Sequence, residues 1–135
     1  MGVVSLIVME PGSAWPGHVG DSENVVAAGE NDGGLLVRIR VRLDSLRKRG
    51  EQVRVAVLAC NEQTDVTSVA RRAELARELL AAVAAVSFGR LVLSAAERAS
   101  MQLRGELLSL AGALSHTLAG TAATVSVRFH GATRE

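Results

Sequence analysis

Three stretches of the chain are almost continuously apolar and short. They are Val3-Val4-Ser5-Leu6-Ile7-Val8-Met9, Val53-Arg54-Val55-Ala56-Val57-Leu58-Ala59 and Arg90-Leu91-Val92-Leu93. Runs of this length, rich in β-branched residues, have the pattern of strands covered on both faces. A fourth stretch, Thr124-Val125-Ser126-Val127-Arg128-Phe129, alternates instead, with Val125, Val127 and Phe129 on one side and Ser126 and Arg128 on the other. That alternation predicts an edge strand with one wet face.

Between these runs the apolar spacing changes to that of a helix. From Asp65 to Val86 the apolar positions Val66, Val69, Ala73, Ala76, Leu80 and Val83 form a stripe, with Arg71, Arg72, Glu74, Arg77 and Glu78 mostly outside it. Ser94 and Glu97 have the spacing of a capping box. This predicts a helix that begins there, runs to about Ala119 and stops at Gly120, a residue that accepts positive φ.

The segment 35–49 reads two ways. Val37 to Leu43 alternates strictly, as a half-buried strand does, and in that case 35–59 would be an antiparallel hairpin. Leu35, Leu36, Ile39, Leu43 and Leu46 also share one helical arc that holds none of the Arg residues. Arg47, Lys48 and Arg49 then suit a helix C-terminus and Gly50 its cap, so the helix is the preferred reading.

With that helix, strands and helices alternate. Right-handed crossovers then predict an α/β fold, a three-layer sandwich with a small, mainly parallel sheet of about four strands, Rossmann-like or flavodoxin-like. The 135 residues fit one domain, 1–135, with a long loop at 10–34. That loop holds the only Trp and both Pro residues, and it carries no Lys or Arg. So long a connection inside a compact domain is functional, disordered or partly structured.

Composition narrows the chemistry. The only aromatic residues are Trp15, Phe88 and Phe129, so the core is aliphatic and offers no stacking platform for bases or sugars. The net charge is +1, but residues 1–34 stand at −5 and residues 35–54 at +5. Without a nucleic-acid motif beside it, the basic run is read as a solvated face that complements the acidic loop, which argues against nucleic acid as a partner. Lone Cys60 cannot form an intramolecular disulfide and fits a reducing, cytoplasmic setting. Met1 to Met9 is too short to span a bilayer and lacks a basic flank, so no membrane role is expected.

In open parallel sheets, ligands collect beyond the carboxyl ends of the strands. Those ends carry Glu10, His18, Asp21 and Glu23; Cys60, Asn61, Glu62 and Asp65; Ser94 and Glu97; and His130. Catalytic candidates are Cys60 as a thiol activated by His18 or His130, with Glu10 beside them. Ligand-binding candidates are Trp15, Asp21, Glu23, Asn61 and Glu62. The set His18, Asp21, Glu23 and His130 matches no metal-site spacing, no glycine-rich nucleotide fingerprint follows a strand, and no cofactor is expected.

A covered outer face is the stronger signal. From Ser100 to Ala119 only Arg104 and Glu106 are charged, although a helix on the outside of a sheet should show water a polar face. Leu108 falls outside the inward stripe, Gly105 and Gly112 are small enough to admit another helix, and Leu79 belongs to a similarly uncharged stretch. These four are the interface candidates. The expectation is a self-associating interaction or regulatory module, a homodimer in which the 10–34 loop contacts a protein partner. The alternative is a small enzyme or ligand-binding protein whose site is built from that loop, Cys60 and His130.

Overall fold

The computed structural model describes residues 2–13, 23–27 and 34–130. Eight elements follow one another: β1 (Gly2–Met9), β2 (Glu23–Ala27), α1 (Leu35–Lys48), β3 (Glu51–Ala59), α2 (Val66–Ala84), β4 (Arg90–Ala96), α3 (Met101–His116) and β5 (Thr124–His130). The strands form one sheet in the order β2-β1-β3-β4-β5, and every neighbouring pair is parallel. The α/β sandwich therefore stands, with the four expected strands and one more. The fifth lies inside the 10–34 segment: β2 pairs along β1 from Ser5↔Glu23 to Met9↔Ala27. Its short apolar core, Val25-Val26-Ala27, is bounded by acidic and Gly-rich sequence that hides it.

The segment 35–48 is a helix, so the hairpin reading falls. Leu35, Ile39 and Leu46 are fully buried, with Leu36 and Leu43 packed against the same core. Gly50 then takes φ 75, ending the helix where a side chain would be strained.

All three helices share one apolar cluster with one face of the sheet. Leu35, Ile39 and Leu46 of α1, Leu75, Leu79 and Val83 of α2, and Leu103, Leu107 and Leu114 of α3 meet strand residues such as Leu6, Val8, Leu58 and Leu93. The reason is topological: the steps β2 to β3, β3 to β4 and β4 to β5 all advance in the same direction, so right-handed crossovers put each helix on the same side. The expectation of helices on both faces is corrected accordingly. On the second face Ile7, Val57 and Val92 form a smaller cluster with Met9 and Val55. Among the described residues, no helix is long and apolar enough to cross a membrane.

Two boundaries also shift. β4 continues through Ser94 to Ala96, so Ser94 is a strand residue and not a helix cap. The cap is Ser100, whose hydroxyl accepts from Leu103 N at 3.2 Å.

Candidate functional site

β1 and β3 are neighbours in the sheet, and in open parallel sheets ligands collect beyond the carboxyl ends of the strands. β1 delivers Glu10 there and β3 delivers Cys60 and Asn61, each one or two residues past the strand. Glu10 N donates to Ala59 O at 3.0 Å, which continues the ladder and aims the carboxylate inward.

The centre of this region is a residue the sequence pattern placed outside the apolar stripe. Arg72, on the second turn of α2, is fully buried. Its Nε donates to Glu10 Oε1 at 3.0 Å. Nη1 reaches Glu106 Oε1 at 2.7 Å and Oε2 at 2.6 Å, and Nη2 reaches Asn61 Oδ1 at 3.0 Å and Gln63 O at 2.7 Å. A guanidinium has five N–H donors, and these five acceptors use all of them.

Glu10 is matched as fully. Oε1 also accepts from Asn61 N at 2.9 Å, and Oε2 accepts from Arg71 Nη2 at 3.2 Å. Asn61 completes the arrangement by donating from Nδ2 to Pro11 O at 3.0 Å and accepting Gln63 N at 3.1 Å. Two carboxylates and two guanidiniums balance, which is the condition under which buried charge is tolerated. Burial alone would lower the Arg72 pKa; Glu10 and Glu106 outweigh it and hold the group above its ordinary value, fully charged. With no donor of Arg72 left for an incoming anion, the arrangement is a clamp. It ties the end of β1, the β3–α2 turn and α3 to one side chain.

The remaining candidates separate. Cys60 is buried, its Sγ donating to Leu58 O at 3.5 Å. Burial pushes the thiol well above its ordinary range and Glu10 adds to this, with Arg72 opposing, so Cys60 holds no thiolate at neutral pH and is a core residue. Ser94 Oγ and His130 Nδ1 lie 3.0 Å apart at the ends of β4 and β5. Ser94 is fully buried, so the pair satisfies an interior hydroxyl and does not present a nucleophile. Glu62 and Glu97 point to solvent. Trp15, His18 and Asp21 lie outside the described residues; Glu23 opens β2.

On α3, Gly105, Leu108 and Gly112 are all exposed, in line with Met101 on the same face. A side chain built at either glycine would meet nothing. Leu79 differs: it is fully buried under α2 and belongs to the core, not to an interface. The basic run of α1 is largely answered within its own surroundings, by Arg40–Glu78, Arg47–Asp44, Lys48–Asp44 and Arg49–Glu51 pairs. Among the described residues, no group of three or more His, Cys, Asp or Glu is placed to hold a metal.

Sequence reasoning missed Arg72 and Glu106 for one reason: each is a charged residue on a helix, where solvent is the ordinary destination. The available signal was spacing. Arg72, Leu75, Leu79 and Val83 share one helical row, and so do Glu106 and Leu103 with Leu107 close by. Comparison with protein-family models, with curated proteins and with solved structures finds no match to this chain.

Proposed function

We propose that the protein is a cytoplasmic interaction module that pairs with a second copy of itself through the outer face of α3. The observation that carries this is the row Met101, Gly105, Leu108 and Gly112, with Met101 83% and Leu108 59% exposed and open space above both glycines. A large apolar side chain flanked by two notches on its own helix is self-complementary. Two such helices related by a two-fold axis can each seat Leu108 against the other's glycines.

The chemistry at the carboxyl edge supports the same reading from the other side. The charged groups of the clamp, Glu10, Arg71, Arg72 and Glu106, pair with one another, and Cys60 is held protonated. The catalytic alternative loses the thiol it rests on. The protonated, buried thiol and the described chain without disulfides accord with a reducing compartment. The 10–34 segment remains the proposed contact for a further protein partner.

Sedimentation equilibrium of wild type and Leu108→Glu tests the reading. Burying a carboxylate in a paired helix face weakens association by at least about tenfold. Melting temperature stays within the narrow range of surface substitutions, because Leu108 contributes little to the fold. Identical association constants for the two proteins would rule the α3 pairing out.

A further inference from the structure

At the end of the molecule opposite the clamp, the chain passes from α2 to β4 through Val86-Ser87-Phe88-Gly89. Gly89 N donates to Val86 O at 3.1 Å, which closes a β-turn, and its third residue, Phe88, has φ 59. Glycine or asparagine is the ordinary choice at a turn position with positive φ, and a bulky residue there is a strained outlier. The fold offers nothing in return, because Phe88 is 69% exposed.

The strain cannot relax by shifting the turn. A Cβ at Gly89 would stand 2.0 Å from Val83 O, and Gly89 O in turn accepts Thr124 N at 3.0 Å. The turn is therefore pressed against the last turn of α2 and tied to β5. Strained backbone held in place by its surroundings clusters at functional sites, and here it holds an aromatic ring out in solvent.

Beside this turn lies a groove of about 300 Å³ between the C-terminal ends of α1 and α2 and the start of β3. Leu43, Ala82, Ala85 and Val86 form its apolar wall, and Arg47 and Glu51 stand at its rim. A cavity of about 150 Å³ lined by apolar side chains is large enough for benzene, so a phenyl ring fits. Phe88, exposed as it is, does not fill its own groove. Ring and groove nonetheless share one end of the molecule, since Val86 belongs to both turn and wall. A two-fold axis near the turn would set each Phe88 into the other copy's groove and bring Arg47 of one rim, whose own partner Asp44 lies 3.6 Å away, toward Glu51 of the other, which pairs with Arg49 of its own chain.

We propose that Phe88 and this groove are the knob and socket of a second contact between copies of this chain. The inference rests on the self-associating reading but uses a different surface from α3. With both contacts present, assembly proceeds beyond a dimer.

The test is sedimentation equilibrium in the Leu108→Glu background, where the α3 contact is disabled. The expected result is a dimer that survives Leu108→Glu and is weakened at least about thirtyfold by adding Phe88→Asn, the loss typical of a central aromatic anchor. Phe88→Asn suits the positive φ, so its melting temperature should be kept or raised, which a merely structural Phe would not allow. Ala82→Arg should block the socket to the same extent. Mixing the Phe88→Asn and Ala82→Arg proteins should restore association through the one intact knob and socket. A monomeric Leu108→Glu protein with Phe88 intact overturns this contact and leaves α3 standing. Association untouched by Leu108→Glu but lost with Phe88→Asn overturns the α3 pairing and leaves this contact standing. No recovery on mixing two folded variants overturns the knob and socket.

Discussion

Replacing Arg72 by Met is the sharpest probe of what holds the fold. The substitution keeps most of the side-chain volume, so little cavity forms, and its effect is electrostatic. It takes from the buried Glu10 carboxylate one of its two guanidinium partners, leaving Arg71 and Asn61 N, and it strips Glu106, 12% exposed, of the guanidinium it pairs with. Five hydrogen bonds disappear at once, but they act as a unit and are not summed. The relevant magnitude is that of a buried ion pair broken from one side, about 3–5 kcal/mol. Against a total stability of about 5–15 kcal/mol for a domain, this is a large fraction. In a chain of this length it corresponds to a melting temperature lower by about 10–20 °C. Thermal and urea denaturation followed by circular dichroism measure it directly. Adding Glu10→Gln should recover part of the loss, because the surplus negative charge of two carboxylates against Arg71 alone is gone, and the shortfall from additivity reports the coupling. A loss below about 1 kcal/mol, the value of a solvent-exposed pair, would refute the reasoning by showing that water already serves these groups.

Three further outcomes follow from the same structure. The Cys60 pKa is raised in the folded protein, so its contribution to stability is complete below the unfolded thiol's value of about 8.5 and is lost as pH rises above it. Stability should fall by up to about 1.4 kcal/mol per pH unit in that alkaline window, and Cys60→Ala should remove this slope. For the same reason native Cys60 should resist alkylation by iodoacetamide until urea unfolds the chain. Gly89→Ala should cost about 3 kcal/mol in urea denaturation, the upper end for overpacking, because the new Cβ meets backbone at Val83 O and nothing there can swing aside.

Much of the architecture is legible in the amino-acid pattern. Apolar runs without alternation mark β1, β3 and β4 because a central parallel strand is covered on both sides, and the alternating Val125, Val127 and Phe129 mark β5 as an edge. The arc of Leu35, Ile39 and Leu46 reads correctly as a helix because it excludes every Arg of the segment. What escapes the pattern does so where one physical effect outweighs another. β2 owes its place to ladder bonds with β1 more than to its own brief apolar stretch. Ser94 and Glu97 have capping-box spacing, but pairing of Ser94 through Ala96 with Arg128 through His130 keeps β4 extended past it. α2 turns inward along Arg72, Leu75 and Leu79, so Val66 is left exposed and Leu79 vanishes into the core. The apolar positions Leu75, Leu79 and Val83 mark that row, and the arginine that continues it toward the N-terminus is what disguises it.

That arginine also explains how the two ends of the molecule are related. A helix packed on a sheet by leucines and alanines alone can slide or roll at little cost, since apolar contacts are non-directional. Arg72 replaces that freedom with fixed geometry: Nε, Nη1 and Nη2 reach three different elements, and only one roll of α2 satisfies them together. Buried ion pairs are poor contributors to net stability, and fixing register is their better attested use. Here the register matters in two places. Through Glu106 it sets which face α3 turns outward, and hence that Leu108 stands between Gly105 and Gly112 in solvent. Along α2 it sets where Ala82 and Ala85 line the groove and where the turn holds Phe88. The donors of Arg72 are consumed by its own partners, and on the proposed self-associating reading the clamp acts by fixing the surfaces at which another copy would dock.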